Sequence, residues 1–107
     1  NGLFKFSFDK DGNIIDEPTR IPAIEGGVDG MSRDCAGNLY VTHHKQVLVF
    51  AKETDEVIKT FDFDIEGVDG VTNIAFGGMD GKTIFVTPMG SKPSLFSAQS
   101  TIAGLPY

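Results

Sequence analysis

Hydrophobic and polar residues alternate in short runs along most of the chain, and no segment shows the periodicity of about 3.6 residues that marks an amphipathic helix. The run LFKFSF at 3–8, for example, places Phe4, Phe6 and Phe8 on one face, as expected of a half-buried strand. The Asp-Gly pair within 9–13 predicts a hairpin turn. The pattern therefore predicts an all-β chain, with strands at 3–8, 14–24 (an edge strand interrupted by prolines), 39–42, 47–50, 57–63, 73–76, 83–87 and 95–98.

Two stretches of the chain repeat each other. NLYVT at 38–42 and TIFVT at 83–87 begin 45 residues apart, and each follows a Gly-containing turn and precedes another predicted strand. A period of about 40 to 45 residues with four short strands per unit is typical of the blades of a β-propeller. Under this hypothesis the chain contains the last two strands of one blade (1–26), a complete blade (27–66) and most of a final blade (67–107).

Such a partial propeller needs neighbours, because each antiparallel blade buries both faces of its sheet against the next blade. The remaining blades are therefore expected partners, supplied by the same chain or by another one. A closed ring of six blades at this period needs roughly 250 to 300 residues. A different hypothesis is that several copies of the 107-residue chain assemble into the ring.

Charge and cysteine content narrow the classes of partner. The formal net charge of −6 argues against nucleic acid, because phosphate binding requires clustered Lys and Arg. No apolar run is long enough to cross a membrane or to act as a secretory signal, so we expect neither. The single Cys35 excludes an internal disulfide, and no His is placed to activate it. We therefore interpret Cys35 as structural and expect a reducing, cytoplasmic environment.

The stretch GVDGMSRDCAGNLYVT at 27–42 carries the most informative acidic residue. Asp29 stands between Val28 and Gly30, at the start of a segment that leads through a turn into an alternating strand. A carboxylate at the mouth of a strand, next to a glycine that lets a ligand come close, can hold a hard cation or move a proton. The alternative is that Asp29 only shapes a turn, as Asp beside Gly often does.

Six short motifs of the chain carry a family likeness. They are VDGM at 28–31, GNLYVT at 37–42, VLVF at 47–50, TNIAFGG at 72–78, DGKTIFVT at 80–87 and GLP at 104–106. Together they resemble the C-terminal third of the gluconolactonase/regucalcin (senescence marker protein) family, which is related to the luciferin-regenerating enzyme. The resemblance implies a six-bladed β-propeller with a divalent cation at the inner end of its tunnel. It also implies hydrolysis of sugar lactones such as gluconolactone, whereas relatives cleave other lactones or organophosphates.

By this resemblance Asp29 matches the aspartate of the family's DGM motif, which is both a metal ligand and the candidate general acid/base. The implied cation is Ca²⁺, with Zn²⁺, Mg²⁺ or Mn²⁺ as alternatives. The cation would polarise the lactone carbonyl, while the carboxylate would act as general acid/base on the proton of the attacking water. The family's other ligands, a Glu near the N-terminus and an Asn in an earlier blade, have no counterpart here. We therefore expect an enzyme only in the full-length protein, with this chain alone inactive.

Other polar residues near the predicted inner strands are weaker candidates. Asn73 and His43 could line the tunnel near the metal, although a turn-forming role for Asn73 is the competing interpretation. His43 and His44 are adjacent on a predicted strand, so we expect their side chains on opposite faces and no shared ion. Asp69 repeats the VDG sequence, but it lies farther upstream of its repeat strand than Asp29 does. This spacing predicts that Asp69 falls in a connecting loop.

A non-enzymatic hypothesis stays open beside the hydrolase. The missing metal ligands motivate an alternative in which the propeller is a binding or scaffold module and Asp29 has no catalytic role.

The chain also departs from the family's motifs at other positions. Val28 replaces the usual Pro of the DGM motif, which is expected to alter only the stiffness of the turn. Ser32 and Ala75 stand where related organophosphatases have ligands of a second calcium, so we do not expect that second site.

Overall fold

The computed structural model of the chain describes residues 2–22, 24–91 and 94–105. Every regular element assigned in these ranges is a β-strand, which confirms the all-β prediction. These ranges contain no helix that is long and apolar enough to cross a membrane. The strands are β1 (Phe4–Lys5), β2 (Thr19–Arg20), β3 (Val28–Arg33), β4 (Leu39–His43), β5 (Gln46–Phe50), β6 (Val57–Asp62), β7 (Val68–Gly77), β8 (Thr83–Gly90) and β9 (Phe96–Gln99). They form three antiparallel sheets in the orders β1-β2, β3-β4-β5-β6 and β7-β8-β9.

The four-stranded sheet lies between the other two sheets, and its central strands β4 and β5 are buried on both faces. Successive side chains of β4 and β5 point to opposite sides of the sheet. One face forms a core with the three-stranded sheet, built from Tyr40, Val47, Val49, Phe63, Val71, Ile74, Ile84 and Val86. The other face forms a core with the first sheet, built from Leu3, Ile21, Ile24, Val41, Leu48 and Phe50. Burial on both sides explains why β5 is a continuous apolar run rather than an alternating one.

The predicted strand at 3–8 is wrong in its extent and in the face that it buries. Only Phe4–Lys5 forms a strand, and Phe4, Phe6 and Phe8 are 45%, 47% and 61% exposed. Leu3, which lies on the other phase of the alternation, is the side chain that packs against the four-stranded sheet. Apolar residues occur on both phases of this run, so the sequence alternation could not tell which face would be covered.

The predicted edge strand at 14–24 is also shorter than expected. Its described residues, 14–22 and 24, contain only β2, which lies between Pro18 and Pro22, together with a single bridge from Ile14 to Phe8. Proline has no N–H to donate to a ladder, and the two prolines confine the pairing to the short segment between them.

The long strand β7 begins at Val68, five residues before the predicted start at Asn73. Asp69 therefore lies within a strand, and its predicted position in a connecting loop is wrong. Asn73, which was expected to begin this strand, lies in its middle. Two irregularities in the pairing with β8, between Val68 and Gly70 and between Val71 and Asn73, interrupt the simple alternation that identifies a strand in sequence.

Candidate functional site

A small cavity opens between the first residues of β3 and β7. These two strands lie side by side across the interface of the four-stranded and three-stranded sheets, and each begins with Val-Asp-Gly. The cavity has a volume of about 200 Å³ and brings together Asp29, Asp69 and His44. Among the described residues, the lining consists of Gly27, Val28, Asp29, His44, Asp69, Gly70, Val71, Thr72 and Met89.

Asp29 is exposed at the wall of this cavity. The pairing of β3 with β4 is irregular between Val28 and Met31, so Asp29 lies in a bulged part of the strand, where side chains are often redirected. Among the described residues, none donates a hydrogen bond to the Asp29 carboxylate or forms an ion pair with it. Asp29 lies within β3, and an Asp that shapes a turn often accepts a backbone hydrogen bond with its side chain. The geometry therefore leaves the carboxylate available to a ligand.

Asn73 lies close to Asp29 along the interface but lines a different cavity. A Cβ added at Gly30 would lie 2.7 Å from Cγ and 2.8 Å from Cα of Asn73, and would overlap Oδ1. The glycine at position 30 is therefore what allows β3 and β7 to approach so closely. Asn73 Oδ1 accepts a hydrogen bond from the backbone N–H of Ile74 at 2.8 Å. Its cavity, of about 180 Å³, does not include Asp29.

The two adjacent histidines are in contact, contrary to the expectation that their side chains lie on opposite faces. Their ring centroids are 4.3 Å apart and the ring planes are tilted by 58°. The alternation of faces fails because β4 ends at His43 and His44 has a positive φ of 53°, which turns the chain back. His44, and not His43, lines the cavity that contains Asp29.

His43 is the more enclosed of the two histidines. Its Nε2 atom is buried and has no hydrogen-bond partner among the described residues. Burial lowers the pKa of His43, the neighbouring His44 lowers this pKa further, and a hydrogen bond to the Glu25 backbone opposes both effects. A neutral His43 is therefore favoured in the folded protein.

Comparison of the sequence with models of known protein families identifies the relatives of this chain. The model of the SMP-30/gluconolactonase/LRE-like region matches residues 1–90. The chain belongs to this family. The match confirms the resemblance found in the sequence motifs and spans all of them except GLP at 104–106, of which Pro106 lies outside the described residues. No curated protein matches the chain at a significant level.

The described part of this SMP-30/gluconolactonase family member does not by itself form a metal centre. Nowhere in 2–22, 24–91 and 94–105 do three or more His, Cys, Asp or Glu side chains come together in a way that could hold a metal ion. Asp29 and Asp69 supply oxygen donors of the kind that hard cations such as Ca²⁺ prefer. The residues present therefore fit a cation site as contributors and not as a complete ligand set.

Sequence reasoning missed Asp34, the fully buried carboxylate of this family member. It accepts hydrogen bonds from the backbone N–H groups of Ala36 (2.9 Å) and Asn38 (3.0 Å), from Asn38 Nδ2 (2.9 Å) and from the Tyr40 hydroxyl (3.2 Å). The Tyr40 oxygen also lies 2.9 Å from Ser100 Oγ. Burial raises the pKa of Tyr40, and the negative charge of Asp34 raises it further, whereas the hydrogen bond with Ser100 lowers it. Asp34 is thus structural.

A repeated sequence pattern could have revealed this turn. DKDGN at 9–13 and DCAGN at 34–38 share the form Asp-x-x-Gly-Asn. In the first, Asp9 accepts the same three hydrogen bonds, from the N–H groups two and four residues later and from the Asn13 amide. Its backbone hydrogen bonds also match those of the second turn. Cys35, within the second turn, is exposed and its Sγ donates to the Gly104 carbonyl at 3.0 Å.

Proposed function

We propose that the protein is a metal-dependent hydrolase of sugar lactones in which Asp29 is both a cation ligand and the general acid/base. The observation that carries the proposal is the Asp29 carboxylate itself. It has no hydrogen-bond or ion-pair partner among the described residues, it lines a cavity with a second carboxylate, and it belongs to a chain of the SMP-30/gluconolactonase family.

The proposal includes a divalent cation, with Ca²⁺ first and Zn²⁺, Mg²⁺ or Mn²⁺ as alternatives. When bound, such a cation supplies the positive charge that polarises the lactone carbonyl. Within this chain Asp29 would hold it, and the nearby Asp69 would add negative charge that favours it. The other oxygen ligands would come from the remaining blades of a six-bladed propeller, in which the three stacked sheets would be consecutive blades.

The proton chemistry falls to Asp29. A water molecule attacks the lactone carbonyl carbon, and the Asp29 carboxylate accepts the proton that the water loses. The bond between the carbonyl carbon and the ring oxygen then breaks, and Asp29 returns the proton to the departing alkoxide. The product is the open-chain hydroxy acid, with no net change in Asp29.

The test is hydrolysis of gluconolactone by the full-length protein, before and after removal of divalent cations and after their return. Replacement of Asp29 by Asn keeps the size of the side chain and removes its capacity to accept a proton. We expect kcat to fall by roughly 100- to 10,000-fold, the usual contribution of general acid–base catalysis. The matched control is Asp16→Asn, an exposed carboxylate outside the cavity, which should leave turnover unchanged. Equal turnover in the Asp29 variant and the control would contradict the proposal.

A second candidate is a propeller that binds partners without catalysis. The observation that favours it is the lack of a complete ligand set among the described residues. Calorimetry with Ca²⁺ on the full-length protein separates the two candidates. A binding module would show no heat that depends on Asp29, whereas the hydrolase would show a site that the Asp29→Asn variant weakens. A parallel assay with a phosphotriester would distinguish an organophosphate hydrolase from a lactonase.

A further inference from the structure

The chain turns at His44, between β4 and β5. This corner is hydrogen-bonded to the segments that carry the cavity's two carboxylates, at the starts of β3 and β7. His44 has a φ of 53°, in the left-handed region that few residues other than Gly and Asn adopt readily. Its backbone N–H donates to the Gly27 carbonyl at 3.0 Å, and its own carbonyl accepts from the Val71 N–H at 2.7 Å. Both backbone hydrogen-bonding groups of this one residue therefore bind other segments of the chain.

These two partners lie close in sequence to the two carboxylates. Gly27 is two residues before Asp29, and Val71 is two residues after Asp69. A corner that is hydrogen-bonded to both segments fixes the start of β3 relative to the start of β7. The two carboxylates are thereby held at a set separation across one cavity.

The side chain of His44 supports the same arrangement. Its imidazole covers Gly27 so closely that a Cβ there would overlap Cε1 and would lie 2.6 Å from Nδ1 and 2.8 Å from Nε2. The ring also contacts the His43 ring and forms part of the cavity wall. A second cavity, of about 430 Å³, is also lined by both His44 and Asp69. The corner therefore borders two cavities.

The geometry points to His44 as a positioning residue for Asp29, acting through its left-handed backbone conformation. This inference rests on the proposed role of Asp29. The backbone conformation at position 44, and not the imidazole chemistry, sets where the Asp29 carboxylate meets the substrate. Gly and Asn adopt this conformation at little cost, whereas the β-branched Val opposes it.

Three variants test the inference in the full-length protein. His44→Val should lower kcat for lactone hydrolysis by roughly 10- to 100-fold, with KM changed less than kcat, because a misplaced catalytic group slows the chemical step. His44→Gly and His44→Asn keep this backbone conformation and should lose much less kcat than His44→Val. The matched control is Glu53→Val, since Glu53 is the other described residue besides glycine with a positive φ, 59°, and it lies outside the cavity. It imposes a similar backbone strain and should leave kcat unchanged.

A second readout does not depend on catalysis. Amide hydrogen exchange of Val71 reports the bond to the His44 carbonyl, and we expect it to speed up by at least about tenfold in His44→Val and in none of the other variants. If the wild-type protein hydrolyses no lactone, the proposed function fails while the exchange result still decides the positioning role. Unchanged kcat and exchange in His44→Val would overturn the inference. An equal loss of kcat in all three His44 variants would also overturn it, because the imidazole would then be the active group.

Discussion

The buried carboxylate of Asp34 offers the sharpest test of how this fold is held together. Asp34 and Asp9 occupy turns of the same sequence form and accept the same local hydrogen bonds, but Asp34 is 0% exposed whereas Asp9 is exposed. Asp34 has one more partner, the hydroxyl of Tyr40, which lies in the core with 4% of its surface exposed. We predict that Asp34→Ala is strongly destabilising and that Asp9→Ala is not.

The magnitude follows from which donors can find water after the carboxylate is removed. Ala36 is exposed and Asn38 half-buried, so their N–H groups can be solvated and lose little. The buried Tyr40 hydroxyl loses a charged acceptor, a bond worth about 1.5–3 kcal/mol, and keeps only Ser100. Together with the weakened turn, we expect Asp34→Ala to lower the free energy of unfolding by about 2–4 kcal/mol.

Urea denaturation of the two variants and the wild type measures this difference. At usual slopes for small domains, the predicted loss moves the midpoint for Asp34→Ala by roughly 1–2 M, with a much smaller shift for Asp9→Ala. Tyr40→Phe supplies an independent check, and a double-mutant cycle with Asp34 should show coupling between the two side chains. Equal midpoint shifts in Asp34→Ala and Asp9→Ala would refute the reasoning, because burial and Tyr40 would then add nothing to the turn.

Three further predictions concern the interface, the histidine and the core. Gly30→Ala should destabilise the protein, because the added Cβ overlaps Asn73 and forces β7 away from β3. Lactone turnover and the urea midpoint should both fall, and a variant in which neither changes would contradict the close contact. The pKa of His43 is lowered in the folded protein and has its ordinary value of 6.5 in the unfolded chain. The unfolded chain therefore binds this proton more readily than the folded protein does. Stability should therefore fall as the pH drops from 6.5 toward the folded pKa, and His43→Gln should flatten this part of a thermal-melt pH series; an unaltered slope would exclude His43 as the cause. Ile84→Ala, at a site with 0% exposure, should lower the free energy of unfolding by about 2–5 kcal/mol, against a small effect for Ile58→Ala at a site 52% exposed, as measured by urea denaturation.

The parts of the fold that the sequence predicted well are those in which local pattern and tertiary burial agree. The strands at 39–42 and 47–50 are present as β4 and β5, because a strand buried on both faces needs an apolar run whatever its neighbours are. The family motifs also identified a correct family, because they depend on residue identity and spacing. Neither inference required knowledge of which face would meet which sheet.

The failures have their physical origin in interactions between distant segments and, at His43 and His44, in one backbone angle. The phase of the run at 3–8 depends on which side meets the four-stranded sheet, and the contact between His43 and His44 depends on a single backbone angle. Asp34 has the same local sequence form as Asp9, and only its position beneath Tyr40 and Ser100 makes it buried. Local patterns carry no information about such partners.

The clearest consequence of this limit concerns the two aspartates of the cavity. Measured along the sequence, Asp69 lies 14 residues before its repeat strand and Asp29 only 9, which argued that the two occupy different places. The longer β7, with its two irregularities, contains the extra residues, so that both VDG segments reach the same cavity. A motif match assigns a role to Asp29 alone, but any cation or substrate that enters this cavity meets two carboxylates. The proposed chemistry at Asp29 therefore depends on Asp69 for the local charge, and on the corner at His44 for the distance between them.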